Sequence, residues 1–152
     1  MKTKLLALAA LAALGLAAPA DAFTPGGVFA MTGSSTISLG SSPTAIPCTV
    51  NLTINATTNQ VTSASFTGSP SCTLMAPSGL PWTILQNPVA PSLTILNMAF
   101  APPPPLATCP AMNVTGAWSN LGGALTIPLT VFSGTCRIGS ANLVSSPLQT
   151  LP

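Results

Sequence analysis

The chain has no histidine and no tyrosine, and its one acidic side chain, Asp21, lies with Lys2 and Lys4 in the first 22 of 152 residues. Residues 23–152 therefore carry a single charged side chain, Arg137. General acid–base catalysis needs a titratable group within reach of the reacting proton, most often His, Glu, Asp, Lys, Tyr or Cys. Beyond residue 22 only cysteine remains of those types, so the composition argues against an enzyme. A nucleophilic cysteine would lack a base. No Cys pair has the C-x2-C spacing of a zinc site and there is no His to complete one, so neither a metal nor another cofactor is expected. Nucleic acid is excluded as a partner, because phosphate binding needs many Lys and Arg and this chain has 3 in all.

Lys2 and Lys4 make a short positive region, Leu5 to Ala18 is an unbroken run of Leu, Ala and Gly, and Pro19 ends it. Ala20-Asp21-Ala22 then has the A-x-A form of a signal-peptidase site. The expectation is a signal peptide over 1–22, removed before Phe23. The apolar run is 14 residues, short of the roughly 20 that a spanning helix needs. No later run is long and apolar enough either, so no integral membrane segment is expected. The protein is read as exported, to the periplasm, the cell surface or the extracellular space.

What remains is one ordinary domain, 23–152, long enough to bury a core. Its period is two. In Thr49-Val50-Asn51-Leu52-Thr53-Ile54-Asn55 apolar residues alternate with Thr and Asn, and Leu125, Ile127, Leu129 and Val131 alternate with Thr126, Pro128 and Thr130. Such alternation marks strands with one buried face. Gly, Pro, Asn and Ser cluster between the runs, as turns require. About eight short strands and little helix are expected, in an all-β domain of β-sandwich or Greek-key-like type.

Two stretches resemble each other. Cys48-Thr-Val-Asn51-Leu52-Thr53 is echoed by Cys109-Pro-Ala-Met-Asn113-Val114-Thr115, and Phe66-Thr-Gly68 before Cys72 by Phe132-Ser-Gly134 before Cys136. The halves, about 44–76 and 107–145, read as diverged copies or as chance in a Thr-rich sequence. The run Ala101-Pro102-Pro103-Pro104-Pro105-Leu106 between them is expected to form a stiff polyproline connector.

Four cysteines in an exported domain imply two disulfides, with three possible connectivities. Gly122-Gly123 is a natural hairpin turn. Centred there, Trp118 faces Ile127, Gly116 faces Leu129, Val114 faces Val131, and Cys109 lies opposite Cys136. Cys48 and Cys72 centre in the same way on the polar run Thr57-Thr58-Asn59-Gln60. The pairs expected are Cys48–Cys72 and Cys109–Cys136, each stabilising by about 3 kcal/mol through closure of a loop of roughly 25 residues.

Asn51, Asn55 and Asn113 each begin an N-x-Thr sequon, a pattern that arises readily by chance in so Thr-rich a chain. Arg137 reads as a carboxylate or headgroup ligand or, in the plainer reading, as a solvated end of a strand. Trp82 and Trp118 are candidates for apolar contact with a partner, against the alternative that an indole fills the core.

The leader ending at Ala22, the following Phe23-Thr24-Pro25, the stretch Gly79-Leu80-Pro81-Trp82-Thr83, the turn Thr115-Gly116-Ala117-Trp118-Ser119-Asn120 and the ending Gly134-Thr135-Cys136 together resemble the PraB-like bacterial activators of alkane oxidation. The resemblance implies an exported protein that helps cells grow on long-chain alkanes, and it carries no catalytic motif. A nearly uncharged chain suits such a role, since a water–alkane boundary rewards apolar contact and penalises charge. The expected partner is then a hydrophobic surface or alkane. The rival expectation is self-association into a fibre, coat or biofilm matrix, because the strands lack the charged residues that normally block edge-to-edge addition.

Overall fold

A computed structural model describes residues 23–39, 44–87, 89–102, 109–133 and 136–152. The expected leader, 1–22, and the connector from Pro103 onward lie outside these residues. Ten strands and one short helix follow in order: β1 (Val28–Leu39), β2 (Ile46–Asn55), β3 (Gln60–Gly68), α1 (Pro70–Thr73), β4 (Ala76–Ser78), β5 (Trp82–Asn87), β6 (Ser92–Ala101), β7 (Cys109–Ser119), β8 (Ala124–Ile127), β9 (Thr130–Ser133) and β10 (Cys136–Ser146).

The all-β expectation holds, but the sheet is a closed barrel rather than a sandwich or Greek key. Successive strands pair antiparallel in the order β1-β2-β3-β5-β6-β7-β8-β10, and β10 returns to pair with β1 from Ala30↔Ser146 to Leu39↔Cys136. A sandwich would leave the first and last strands as edges; this ladder joins them. Inward and outward alternation is the same in both architectures, so the repeat pattern does not discriminate between them.

Eight positions around the ring are filled by ten segments because two positions are broken. β4 and β5 pair with opposite ends of β6, Ala76 with Ala101 and Ile84 with Ile95. Gly79-Leu80-Pro81 interrupts what is otherwise one strand. Likewise β8 and β9 pair with successive parts of β10, Ile127 with Ala141 and Thr130 with Ile138. Pro128, which has no N–H to donate, stands in the gap. The inward phase changes across it: Leu125 and Ile127 are buried, whereas Leu129 and Val131 are exposed and Phe132 points in. The unbroken alternation expected through Val131 is therefore corrected.

The hairpin register also differs. Trp118 faces Leu125 and Ala117 faces Thr126, so the turn spans Asn120–Gly123 and is centred one residue earlier than Gly122-Gly123. β7 then leaves β8 after three pairs, and Val114 faces Ile95 of β6 rather than Val131.

Inward residues fill the barrel. Met31, Ile54, Val61, Trp82, Leu93, Ile95, Phe100, Leu125 and Leu143 are all fully buried. Two aromatic clusters cap it. Phe23 packs edge-on against Phe29 and Trp118 at 4.9 and 5.6 Å, and Phe100 lies tilted against Phe66 at 5.7 Å and edge-on against Phe132 at 5.2 Å. The first cluster lies at the terminal end, where Thr24 and Thr150 form a two-strand bridge. The second lies at the opposite end, with the cysteines. Wall contacts are close enough to demand glycine at Gly33, where a Cβ would collide with the Asn142 carbonyl of β10.

The outer wall is mainly Thr, Ser and Asn, with Val28, Leu85, Val131 and Val144 among them. Thr94 and Thr115 sit opposite each other and share a hydroxyl hydrogen bond of 2.9 Å, and Thr126 donates to Asn142 at 3.1 Å. No helix among the described residues is long and apolar enough to cross a membrane. A membrane-spanning barrel carries an apolar band outside and polar groups within; here the two faces are reversed.

Candidate functional site

Both expected disulfides form. Cys48 on β2 bonds Cys72 on α1, and Cys109 at the start of β7 bonds Cys136 at the start of β10. No described cysteine is free. Local structure brings Cys72 into place: Ser69 caps α1, its hydroxyl accepting from the Cys72 N–H, just after Gly68 pairs with Cys48. The register expected from turn centres was off by two residues in the second pair, yet the pairing stands. A slip of two preserves which face a side chain occupies, while a slip of one reverses it.

The two disulfides lie at one end of the barrel, and each adjoins a place where the wall is weakly laddered. β3 pairs with β5 only at Gln60 and Val61, which leaves residues 62–68 without strand pairing toward β4. β7 pairs with β8 only at 117–119, which leaves residues 109–116 without strand pairing toward β9. Cys72 anchors the chain just beyond the first seam. The Cys109–Cys136 bond ties β7 to β10 beside the second.

Neither tryptophan reaches the surface. Trp82 is 0% exposed and Trp118 is 4% exposed. The expectation of Trp82 and Trp118 as apolar contacts is thus corrected. Each lies in the inward phase of its strand, and each indole N–H is satisfied inside, Trp82 by the Ser78 carbonyl and Trp118 by the Asn120 side chain, both at 2.8 Å. Arg137 projects outward from β10 near the disulfide end. Among the described residues no group of three His, Cys, Asp or Glu could hold a metal. The sequon asparagines on the wall have structural work: the Asn55 side chain accepts from the N–H groups of Thr57 and Thr58 at the β2–β3 turn, and that of Asn113 accepts from Asn97 N–H at 3.1 Å.

Inward side chains fill the barrel among the described residues. An internal cavity lined by residues such as Ile37, Leu52, Phe66, Met98 and Ile127 measures about 10 Å³. That is about the space of one water, whereas ligand sites span roughly 300–1,000 Å³. A shallow hollow of about 270 Å³ on the outer wall is lined by hydroxyl and amide groups of Ser34, Thr36, Thr49, Ser140 and Asn142. The hollow is open and uncharged, has no aromatic side chain in its lining, and offers neutral hydrogen bonds.

The exposed apolar residues were not singled out in the sequence. Nine large ones are exposed among the described residues. Leu121 and Val89 are the most exposed, at 98% and 93%, and both sit in turns at the terminal end. A leucine inside the turn Asn120-Leu121-Gly122-Gly123, where polar residues are usual, was the available signal.

No curated protein and no solved structure matches the chain. The sequence model of the family described as alkane oxidation protein activator PraA/PraB-like matches residues 1–152. The chain belongs to the PraA/PraB-like family of alkane oxidation protein activators.

Proposed function

We propose that the protein is an exported, non-enzymatic accessory factor that promotes growth on alkanes by apolar contact, at the cell surface or at the oil–water boundary. One observation carries this reading: in a family of alkane oxidation activators, this member is a filled barrel whose residues 23–152 bear one charged side chain. A filled interior leaves the outer surface as the working part. An almost uncharged surface gives up little hydration on meeting hydrocarbon. Export is supported by the leader pattern over 1–22, and by two disulfides, which persist in oxidising compartments. N-terminal sequencing of the exported protein is expected to start at Phe23-Thr24-Pro25.

The test is dispersion of hexadecane by purified oxidised protein, together with restoration of growth on hexadecane in a deletion strain. Wild type and Arg137→Ala are expected to act equally, and reduced protein to be inactive. Loss of activity in Arg137→Ala alone would replace apolar contact with recognition of a specific polar ligand.

A second reading, a self-associating structural subunit, draws on the same lack of charge and on the strand stretches 62–68 and 109–116 that have no ladder on one side. Electron microscopy of the secreted protein separates the two: ordered filaments support the subunit, dispersed monomers the accessory factor.

A further inference from the structure

We infer that the terminal end of the barrel is the face that enters the hydrocarbon, through an apolar rim formed by Val89, Leu121, Leu148 and Val28. The inference rests on the reading above and names the surface that reading leaves unspecified.

Of the nine large apolar side chains exposed among the described residues, six lie in the half of the barrel that ends at the Thr24–Thr150 bridge: Val28, Leu85, Val89, Leu121, Val144 and Leu148. Four of them, Val89, Leu121, Leu148 and Val28, occupy consecutive corners of the ring. Val89 is in the β5–β6 connection, which abuts β7 through a 2.8 Å bond from Trp118 N–H to the Pro91 carbonyl. Leu121 is in the next turn, between β7 and β8. Leu148 follows β10, and its Cδ1 lies over that same turn, 2.8 Å from where a Cβ on Gly123 would stand. Val28 begins β1, and the Ala30↔Ser146 register directs it toward the segment that carries Leu148.

These side chains lie mostly outside the core. Phe23, Trp118 and Leu151 already close the barrel beneath them.

Charge selects the occupant. Arg137, the one charged side chain beyond residue 22, is near the opposite end, in the first turn of residues of β10. The terminal pole thus has no charged side chain, only the two opposite charges of the mature chain's ends beside the Thr24–Thr150 bridge, which cancel, while the other pole carries Arg137. Val89 and Leu121 stand on turn tips, with Val28 at the start of β1 and Leu148 just after β10. Separate convex apolar tips match a deformable liquid surface, which needs no shape complementarity, better than they match a protein partner, whose interface depends on it. Burying each such side chain in hydrocarbon is favourable in proportion to its area.

The experiment is pendant-drop tensiometry at a hexadecane–water boundary with mature, oxidised protein. It compares wild type, the rim variant Val89→Ser/Leu121→Ser, and Leu129→Ser/Val131→Ser, which removes two exposed apolar residues from the other half. Near-ultraviolet circular dichroism and intact disulfides verify the fold of each. The rim variant is expected to need at least about tenfold more protein for the same fall in tension, from the area lost at two side chains, while the other variant matches wild type. Equal behaviour of rim variant and wild type, with wild type active, overturns the rim and leaves the proposed function standing. No adsorption by wild type overturns both. A wild-type dimer in light scattering that the rim variant converts to monomer, with adsorption unchanged, makes the occupant a second copy of the chain and overturns the hydrocarbon.

Discussion

Asn120 holds the end of the chain to the barrel. Its side-chain oxygen accepts from the Trp118 indole and from Leu151 N–H, both at 2.8 Å, and its amide donates to the Leu151 carbonyl at 3.0 Å. Asn120→Ala leaves a buried indole N–H and a terminal N–H without partners. The expected loss is about 2–3 kcal/mol, read as a fall of roughly 5–15 °C in Tm by calorimetry. An unchanged Tm would show that the terminal clasp contributes nothing. Nothing in the sequence pointed to this role, because Leu151 is 31 residues away and only ring closure brings it to the β7–β8 turn. Trp82 was half legible in the same sense. An indole suits both a core and a contact surface, and the choice follows from strand phase: Trp82 and Ile84 point in, Thr83 points out.

At the scale of elements, the seams and their disulfides are coupled. Residues 109–116 of β7 depend on β6 for pairing on one side and have no ladder on the other, with the Cys109–Cys136 bond at their margin. Replacing both cysteines by alanine is expected to cost about 3 kcal/mol, since the bond spans 27 residues. Amide exchange should rise in β7 and β9 and stay slow in the β1–β2 and β1–β10 ladders, which are the longest paired regions around the closure. Uniform acceleration through all strands would mean that the disulfide supports the barrel globally and that the seam is no local weak point. Strand existence was legible here, because Thr49–Asn55 alternates without a break and lies wholly within β2. The break at Pro128 was visible as a proline but not as a change of phase, which needs the partner strand β10 to be known.

For the whole molecule, the lack of ionisable side chains has a thermodynamic consequence. Stability depends on pH only where folded and unfolded states bind different numbers of protons. With leader removed, residues 23–152 have no Asp, Glu, His, Lys or Tyr, and the cysteines are bonded, so only the chain termini titrate in the acidic and neutral range. The Tm is expected to be nearly constant from about pH 3 to 8, and nearly independent of salt, because Debye screening acts on charges. A steep acid transition in scanning calorimetry would mean that the leader and its Asp21 remain attached and matter to folding.

The period of two determined that the chain is all-β, composition determined that residues 23–152 are nearly uncharged, and the turn positions between the cysteines indicated which pairs bond. These are local properties, set by side-chain type and by a period of two. Only the tertiary structure decided that β10 meets β1, so that the same alternating strands enclose a filled barrel instead of facing one another as two sheets. It also decided that both tryptophans lie inside and that Leu121, Val89, Leu148 and Val28 share a pole opposite Arg137. Ring closure joins residues more than a hundred positions apart, and alternation along one strand holds no information about which strand lies beside it.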